Sequence, residues 1–381
     1  MTVYNKENPF LASIKDRFSL SRPGSKKNTQ HLVLDLAGSG LTYRAGDCLG
    51  IFAQHDPLLV EKTINALRVN GREIVSLKQK EKTASLREAL TTHLNITEIS
   101  PRLFREIALR QTNQEKKDFL NVLLEEENLQ KKKEYLGQFE LWDLLLAHEE
   151  VVFTPQEIAD FLMPLLPRFY SISSSQKYVG EEVHLTVAQF EFESNGYMRH
   201  GVCSHYLSKL VTFHDPVVPV FVHPSHHFFL PEITDTAMIM IGPGTGVAPF
   251  RAFIQDRIFH QSGGKHWLFF GEWNRDFDFF YEEDWKSFGE KTHLILDLAF
   301  SRDQKEKVYV QHKMREKGQE LFAWLEQGAY LYVCGDAQRM AKDVESTLMS
   351  IIAQHSEKGE AGAKEYLKKL RKEKRYLRDV Y

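Results

Sequence analysis

The chain contains 381 residues, of which 42% are hydrophobic and 27% charged, and its formal net charge is −3 at pH 7. This composition is that of a soluble globular protein with a large core and without a dominating electrostatic field. A chain of this length is expected to form two or three domains. Nothing in these numbers favours a nucleic-acid-binding protein.

The cysteines point to a reducing compartment. Cys48, Cys203 and Cys334 are odd in number and widely spaced, which argues against a disulfide framework or a structural zinc site. The first 20 residues contain no apolar core flanked by a cleavage site, and no segment offers about 20 uninterrupted apolar residues. We therefore expect a cytoplasmic protein that is neither exported nor inserted into a membrane.

The first part of the chain has the pattern of strands and turns. The segment His31–Leu36 is a short apolar run between polar and glycine-rich stretches, and Gly46–Phe52 leads into a second candidate strand. At Asp56 the pattern changes, because a capping aspartate followed by proline opens an amphipathic segment that extends through Asn70.

The same capping device recurs twice in the next hundred residues. Ser100 precedes Pro101, and Thr154 precedes Pro155 with Glu157 three residues after the cap. Most of residues 56–165 is therefore predicted to be helical.

Strands return after Pro167, in residues 168–175, 183–193 and 217–222, which are rich in β-branched and aromatic side chains. From residue 237 onward, strands alternate with glycine turns and helices, which is typical of a parallel sheet with crossover helices. The predicted fold is an antiparallel β-barrel interrupted by an all-α insertion and followed by an α/β domain. The predicted boundaries are 1–55 with 166–232 for the barrel, 56–165 for the insertion and 233–381 for the α/β domain.

A glycine-rich turn lies between a strand and a helix in the α/β part. The turn Gly242–Gly246 stands where backbone N–H groups and a helix N-terminus can bind a pyrophosphate. Its spacing differs from the usual dinucleotide fingerprint, since Val247 occupies the place of the third glycine. By spacing alone, an ordinary tight turn remains an equal alternative.

Three further segments accompany this turn. They are Arg168–Ser171 (RFYS), Gly201–Ser204 (GVCS) and the final run Arg375–Tyr381, which ends on an aromatic ring two residues after Asp379. A chain end is normally frayed and carries no chemistry unless it is tied down. Each segment alone has a plain structural alternative, for instance a barrel strand for RFYS.

Together the four segments resemble the FAD/NADPH half of the diflavin reductases, and most closely the flavoprotein (alpha) subunit of NADPH-dependent sulfite reductase. The string GPGTGVAPFRAF, from Gly242 to Phe253, is similar to the nicotinamide-side loop of the ferredoxin–NADP reductase superfamily. The resemblance spans essentially the whole chain. It implies a cytoplasmic NADPH-dependent flavoprotein oxidoreductase with FAD and NADPH as cofactors and no metal. The family's flavodoxin domain is expected to be missing, because the barrel-type segment starts near residue 10.

The resemblance implies a set of flavin-binding residues. Arg168 would neutralise the pyrophosphate, Tyr170 would lie on the isoalloxazine, and Ser171 would bond the N5 edge. The turn residues Gly201, Val202, Cys203 and Ser204 would hold phosphate at a helix N-terminus. Phe192 matches an aromatic that stacks on adenine in relatives, although an alternating strand phenylalanine is more often part of a core.

A second set is implied for NADPH. Gly242, Gly244, Thr245 and Gly246 would form the loop for the dinucleotide, and Asp336 is also expected to contact a cofactor. The family residues that hold the adenosine phosphate end match Ser301, Arg302, Lys307, Tyr309 and Gln311. Guanidinium, ammonium and hydroxyl groups suit a 2′-phosphate, so a preference for NADPH over NADH follows.

Four residues are assigned by the resemblance to catalysis. Ser171, Cys334 and Asp379 would form a polar set near the flavin N5 that aligns the nicotinamide and stabilises its developing positive charge. Tyr381 would cover the flavin and move aside for nicotinamide. For Cys334 a buried structural role is the commoner alternative.

Two features are discounted and one is a departure from the family. His223, His226 and His227 lack partner ligands at a metal-binding spacing. The basic run 368–378 reads as an amphipathic helix with a basic face that could meet acidic electron-transfer partners. Phe229 stands where the family has arginine, which removes one expected cationic contact.

The partner implied is a separate electron acceptor, a flavodoxin, a ferredoxin or a hemoprotein such as a sulfite reductase hemoprotein subunit. The alternatives are a general NADPH:flavodoxin or ferredoxin reductase and a catalytically silent flavin-binding subunit. No nucleic acid or membrane is expected as a partner.

Overall fold

The structure is a computed structural model that describes residues 3–77, 82–356 and 359–381. It divides into two compact units. The first comprises Met1–Gly50, Phe169–Gln189 and Thr212–Tyr381, and the second comprises Ile51–Arg168 and Phe190–Val211. In the described part of the chain, no helix combines the length and the hydropathy that crossing a membrane requires.

The strands are numbered in chain order: β1 Phe10–Ser19, β2 Thr29–Asp35, β3 Cys48–Ile51, β4 Ile74–Leu77, β5 Lys82–Ser85, β6 Arg168–Ser171, β7 Glu182–Ala188, β8 Glu191–Ser194, β9 Tyr197–His200, β10 Val218–His223, β11 Met238–Ile241, β12 Lys265–Glu272, β13 His293–Phe300, β14 Tyr330–Gly335 and β15 Tyr376–Val380.

The helices are α1 Pro57–Leu67, α2 Leu86–Thr92, α3 Pro101–Arg110, α4 Gln114–Leu124, α5 Leu129–Leu136, α6 Leu141–Ala147, α7 Pro155–Phe161, α8 Gln176–Val179, α9 Val202–His205, α10 Ala248–Phe259, α11 Arg275–Asp278, α12 Glu282–Lys291, α13 Val310–Glu316, α14 Gly318–Glu326, α15 Met340–His355 and α16 Gly359–Lys372.

A six-stranded sheet in the order β6-β3-β10-β1-β2-β7 forms the antiparallel part. Strand β2 runs beside β7 with Thr29 opposite Ala188 and Asp35 opposite Glu182. An antiparallel bridge joins Ile172, which directly follows β6, to Leu185 of β7. Ile172 lies outside β6, so this isolated bridge does not pair the first and last strands of the order, and closure of the sheet into a barrel stays a prediction. The predicted strand 183–193 is divided, because β7 ends at Ala188 and β8 begins at Glu191.

The parallel sheet has the order β13-β12-β11-β14-β15. In β11 every residue is buried, with Met238 and Met240 in one core cluster and Ile239 and Ile241 in another. A strand covered on both faces reads as a continuous apolar run, which is why this segment could be assigned from sequence. The predicted order of an antiparallel sheet followed by a parallel α/β sheet is confirmed. The prediction that the insertion 56–165 is all-α is wrong, because it contains the antiparallel strand pair β4–β5.

The second unit is mainly helical, and its helices start where the capping residues predict. Asp56 accepts from the backbone N–H of Leu58, and Ser100 accepts from that of Leu103. Thr154 and Glu157 form the reciprocal capping box of α7. Helix α1 ends at Leu67, three residues before the predicted end at Asn70.

The predicted boundaries of three domains stay a prediction. Residues 1, 2, 78–81, 357 and 358 of those ranges lie outside the described residues. In the second unit the hairpin β8–β9 and helix α9 group with the helical segment 51–168.

Candidate functional site

The glycine loop of the first unit packs directly against the end of a neighbouring strand. A Cβ added to Gly246 would lie 2.1 Å from the carbonyl oxygen of Cys334 in β14, and one added to Gly242 would lie 2.6 Å from the carbonyl oxygen of Gly246. Gly244 has a φ of +59°. Only glycine allows these backbone approaches together with that conformation. The loop therefore lies at the carboxyl end of the parallel strands, where ligands bind in open α/β sheets.

Three of the predicted catalytic residues meet at this edge of the sheet. The Ser171 hydroxyl donates to Asp379 Oδ2 at 2.8 Å, and Cys334 Sγ lies 3.9 Å from the same oxygen. The register of β14 and β15 pairs Cys334 with Asp379. The structure thus brings together, within the first unit, side chains that are more than 200 residues apart in sequence.

The electrostatics of the cluster keep its thiols protonated. Burial, followed by the charge of Asp379, raises the pKa of the Cys334 thiol well above its ordinary value. Burial likewise raises the pKa of Cys48 to about 12, with a contribution from Asp379 and an opposing hydrogen bond with Ser171. Cys48 is a fourth member of the cluster that sequence reasoning missed, because its place beside Ser171 depends on how β3 and β6 are arranged in the sheet.

Tyr381 is held by its backbone and by its phenol. Its N–H donates to the carbonyl oxygen of Gly335 at 3.1 Å, and its carbonyl accepts from the N–H of Ala337 at 3.0 Å. The phenol oxygen lies 3.0 Å from Thr245 Oγ1 of the glycine loop. The residue is 57% exposed. Its position is therefore defined beside the glycine loop while much of the ring remains accessible.

Asp336 has a local structural contact. Its carboxylate accepts from the backbone N–H of Arg339 at 2.7 Å and of Met340 at 3.1 Å, at the start of α15. These bonds lower the pKa of Asp336. Its predicted contact with a cofactor stays a prediction.

The residues predicted to contact a 2′-phosphate follow β13. Ser301 is buried, and its N–H donates to the carbonyl oxygen of Glu272 at 2.8 Å. Arg302 and Lys307 are exposed, whereas Gln311 is half-buried in α13. Tyr309 is 41% exposed, and its ring stacks on His312 with 5.9 Å between centroids. The loop thus presents cations and a phenol to solvent, and its predicted contact with a 2′-phosphate stays a prediction.

Three residues beside this loop were missed by sequence reasoning. Both carboxylate oxygens of buried Glu272 accept from Lys27 Nζ, at 2.7 and 2.8 Å. Lys27 Nζ lies 4.5 Å from the centroid of the Trp273 ring, and the Arg302 guanidinium lies 3.2 Å from that centroid. Burial raises the pKa of Glu272, while Lys27 opposes the shift. A tryptophan directly after a strand of the parallel sheet was the available signal.

In the second unit, the backbone of the turn before α9 also lies very close to neighbouring groups. A Cβ added to Gly201 would lie 2.9 Å from Ser204 Oγ and 3.2 Å from the Cβ of Phe190. The N–H of Gly201 donates to the carbonyl oxygen of Phe190 at 2.8 Å. Val202 is half-buried, Cys203 is buried, and α9 continues into a π-helical turn at Tyr206–Leu210.

The aromatic residues near this turn differ in exposure. Phe192 in β8 is 41% exposed, and its ring centroid lies 5.3 Å from that of Phe190, which is 62% exposed. Phe190 is the residue that contacts the Gly201 turn, and sequence reasoning passed over it. Of the RFYS segment, Arg168 is exposed and Tyr170 is half-buried. The cofactor roles of Arg168, Tyr170 and Phe192 stay predictions.

Comparison with known proteins decides the family. Residues 3–206, more than half of the chain, match the family model described as an FAD binding domain. The chain belongs to this FAD-binding family. Residues 240–346 of this FAD-binding chain match a second model, described as an oxidoreductase NAD-binding domain. The second match contains the glycine loop, the Ser301–Gln311 loop and Cys334.

Three curated relatives are named sulfite reductase [NADPH] flavoprotein alpha-component. That of Mannheimia succiniciproducens is 42% identical over 379 residues, covering 99% of this chain and 62% of the relative. The relative from Photobacterium profundum is 41% identical, and the match covers 100% of this chain and 62% of the relative. The relative from Bacillus subtilis is 40% identical, and the match covers 99% of this chain and 62% of the relative. The FAD-binding chain therefore spans 62% of the length of these relatives.

These findings confirm the resemblance to the FAD/NADPH half of the diflavin reductases. The predicted activity of the chain stays a prediction, because the chain spans only 62% of the relatives' length. The findings also confirm the predicted pair of cofactors, FAD and a nicotinamide dinucleotide, at the level of the two domain families. The roles assigned to individual residues stay predictions.

Proposed function

We propose that this chain is an NADPH-dependent FAD flavoprotein reductase of the sulfite reductase flavoprotein type, which passes electrons from NADPH through FAD to a separate acceptor. The observation that carries the proposal is the cluster of Ser171, Cys334 and Asp379 beside the glycine loop in the first unit. The names of the relatives, sulfite reductase [NADPH] flavoprotein alpha-component, support NADPH as the donor and sulfite reduction as the context.

The residues of the first unit fit the two cofactors. At its three glycines the loop offers backbone without side chains, and a Cβ at Gly246 would already meet Cys334. We propose that this loop binds the dinucleotide phosphates and that Tyr170, Ser171 and Tyr381 contact the flavin ring. In the second unit, the Gly201–Ser204 turn is a proposed phosphate-binding turn. The bound cofactors supply the electron chemistry, in which a hydride passes from nicotinamide to flavin.

The protein's own groups would orient the reactants and stabilise charge. Asp379 would place a carboxylate where positive charge develops on the nicotinamide ring, and the 2.8 Å hydrogen bond from Ser171 would hold that carboxylate in position. Cys334 would remain a neutral thiol, because its pKa is raised well above its ordinary value. It would therefore fill and polarise the site without acting as a nucleophile.

Tyr381 would act as a movable cover. Its backbone bonds to Gly335 and Ala337 tie the strand end in place, whereas its ring has the Thr245 hydroxyl as a polar contact at 3.0 Å. A ring anchored by its backbone can change its side-chain rotamer without unfolding the strand. Entry of nicotinamide would then displace the ring from the flavin.

The exposed loop after β13 would select NADPH. Arg302 and Lys307 can make charge-assisted hydrogen bonds to a 2′-phosphate, and Tyr309 can add a hydroxyl. NADH lacks that phosphate, so its binding would not gain these bonds. Residues Ser301 and Gln311 would complete the contact set.

The acceptor and the compartment belong to the same proposal. We propose a separate acceptor protein, with a sulfite reductase hemoprotein subunit as the first candidate and a flavodoxin or ferredoxin as the alternative. The three cysteines are free thiols, in keeping with a cytoplasmic location. Retention of the catalytic cluster favours an active enzyme over a silent flavin-binding subunit.

The first experiment is a visible spectrum of the purified protein, chromatographic identification of the released flavin, and anaerobic titration with NADPH and with NADH. One FAD per chain, no FMN, and bleaching at much lower NADPH than NADH concentration are expected. Bound FAD that neither nucleotide reduces would support the silent subunit instead, and absence of flavin after reconstitution would overturn the proposal. Steady-state reduction of purified hemoprotein, flavodoxin and ferredoxin would then rank the acceptors.

A further inference from the structure

The cluster around Trp273 has no part in the family resemblance, yet it lies against the loop that is proposed to read the 2′-phosphate. The backbone N–H of Arg302 donates to the carbonyl oxygen of Trp273 at 2.8 Å, and the Arg302 guanidinium lies 3.2 Å from the centre of the Trp273 ring. Arginine stacks on aromatic faces through its flat, weakly hydrated cation. Both the backbone and the side chain of Arg302 therefore contact the same residue, Trp273.

Trp273 is itself held in place by two residues that precede it in the chain, Glu272 and Lys27. Its N–H donates to Glu272 Oε2 at 2.8 Å, and Glu272 is only 7% exposed. The Lys27 ammonium bonds both oxygens of that carboxylate and lies 4.5 Å from the Trp273 ring centre. A paired buried carboxylate has few alternative positions, so it defines where the indole stands.

A second set of hydrogen bonds joins the loop after β12, which contains Trp273, to the loop after β13, which contains Arg302. Asp303 accepts from Asn274 Nδ2 and from the N–H of Arg275, each at 3.2 Å. The carboxylate next to Arg302 in sequence is thus engaged by the neighbouring loop. Within the described residues, the Arg302 guanidinium makes no ion pair with a carboxylate, so its charge remains available for an anion.

We propose that Trp273 is a positioning residue that holds the Arg302 guanidinium for the 2′-phosphate and thereby sets the preference for NADPH over NADH. This inference rests on the proposed function and adds to it a residue that the family motifs do not include. The indole restricts a long, exposed side chain to one orientation, which reduces the conformational entropy that Arg302 loses when a phosphate binds. Lys27 and Glu272 act indirectly on Arg302, because they fix the position of the indole.

The test uses the purified flavoprotein with FAD bound and two nucleotides that cannot transfer a hydride. Calorimetric titration with 2′,5′-ADP and with 5′-ADP measures the contribution of the 2′-phosphate without requiring turnover. For Trp273→Leu we expect affinity for 2′,5′-ADP to fall about tenfold and affinity for 5′-ADP to fall less than about twofold. Trp273→Phe, which keeps an aromatic face, is expected to stay within about threefold of the wild type for both ligands.

A double-mutant cycle separates positioning from general damage. If the indole acts through Arg302, then Trp273→Leu has no further effect on 2′,5′-ADP affinity in the Arg302→Ala protein. Trp324→Phe, which alters a tryptophan packed on Trp267 in the core of the parallel sheet, is the matched control and should leave both affinities unchanged. Equal losses for both nucleotides, additive losses in the cycle, or undiminished 2′,5′-ADP binding by Trp273→Leu would each overturn the inference.

Should Trp273→Leu fail to fold, Arg302→Lys gives an independent answer. Lysine keeps the charge but cannot stack as a flat cation, and residue 302 is exposed. We expect 2′,5′-ADP to bind about fivefold more weakly. Wild-type affinity for 2′,5′-ADP in Arg302→Lys would contradict the role of Trp273.

The same titrations separate the two proposals. A wild-type protein that binds both nucleotides equally would refute the proposed NADPH preference itself. A wild-type protein that prefers 2′,5′-ADP, combined with a Trp273→Leu variant that keeps the preference, would refute only the role of Trp273.

Discussion

At the β14–β15 side of the parallel sheet the candidate catalytic side chains Cys334 and Asp379 are short and enclosed, whereas at the β12–β13 side the candidate phosphate-binding cations Arg302 and Lys307 are long and exposed. Cys334 is fully buried and Asp379 half-buried, while Arg302 and Lys307 are exposed. The glycine loop follows β11, the strand between the two sides. The order of the strands therefore separates the proposed catalytic residues from the proposed phosphate-binding residues along one edge.

The groups on the two sides are also held in position by different kinds of contact. On the catalytic side, backbone approach and strand register place the groups, since Gly246 abuts Cys334 and Cys334 pairs with Asp379. On the recognition side, a side-chain stack and an ion pair place them, with Arg302 on Trp273 and Lys27 on Glu272. Substitution of the loop glycines should thus have steric effects, whereas substitutions at Arg302 should have graded electrostatic effects.

The largest effect is expected from Gly246→Ala. The added Cβ would lie 2.1 Å from the carbonyl oxygen of Cys334, so the loop or β14 must move. We expect a loss of about 3 kcal/mol in the free energy of unfolding and loss of FAD reduction by NADPH. Chemical denaturation and anaerobic titration measure both. Gly289→Ala, in exposed helix α12 with nothing within 4 Å of the new Cβ, is the control. Wild-type values for Gly246→Ala would show that the loop is not closely packed.

Asp379→Asn probes the charge at the catalytic cluster while preserving its size. Ser171 can still bond the amide oxygen, so folding should be retained. We expect the rate of flavin reduction in stopped flow to fall about 10- to 100-fold, because a charge that stabilises the transition state is removed. Asp343→Asn, on the exposed surface of α15, should have no effect. An unchanged reduction rate in Asp379→Asn would remove the carboxylate from the mechanism.

Arg302→Ala tests the recognition side. Loss of a charge-assisted bond should raise the KM for NADPH about 10- to 30-fold, with the KM for NADH changed less than about twofold. Steady-state kinetics with both nucleotides provide the comparison. Arg275→Ala, which removes a neighbouring guanidinium that stacks on Phe279 and Phe300, serves as the control. Equal changes for the two nucleotides in Arg302→Ala would place recognition of the 2′-phosphate elsewhere.

Tyr381→Ala is expected to change selectivity more than stability. Removing the ring should ease access of nicotinamide and reduce the ratio of kcat/KM for NADPH to that for NADH about fivefold. Tyr381→Phe keeps the ring and loses the contact with Thr245, so it should retain most of the wild-type ratio. Unchanged selectivity in Tyr381→Ala would refute the movable cover.

The smallest effect concerns the thiols. Because the pKa of Cys334 is raised well above its ordinary value and that of Cys48 to about 12, both thiols should remain protonated at pH 8. Iodoacetamide should then modify neither in the native protein, as followed by mass spectrometry, and should modify both after denaturation. Because the thiol pKa is higher in the folded state than in the unfolded state, each thiol contributes to stability at pH values below its unfolded-state pKa. This contribution is lost as the pH rises from the unfolded-state pKa through the folded-state pKa.

The local elements could be predicted because their signals are local. The caps at Asp56, Ser100 and Thr154 satisfy the N–H groups of their own helices. The continuous apolar run of β11 indicated a strand covered on both faces, and the glycine loop was recognisable from the strand before it and the helix after it. The predicted single strand over 183–193 failed because nothing in its pattern marks the break after Ala188.

The candidate site divides in the same way. Sequence alone determined the residue types that suit a dinucleotide and a flavin, since these lie in short motifs. Only the tertiary structure decided that Cys48 joins Ser171 and Asp379 and that Lys27 and Trp273 support Arg302. Such contacts depend on strand order, register and packing between distant segments; Lys27 and Glu272, for example, are 245 residues apart. Local propensity carries no information about them, because burial and pairing arise only when distant strands meet.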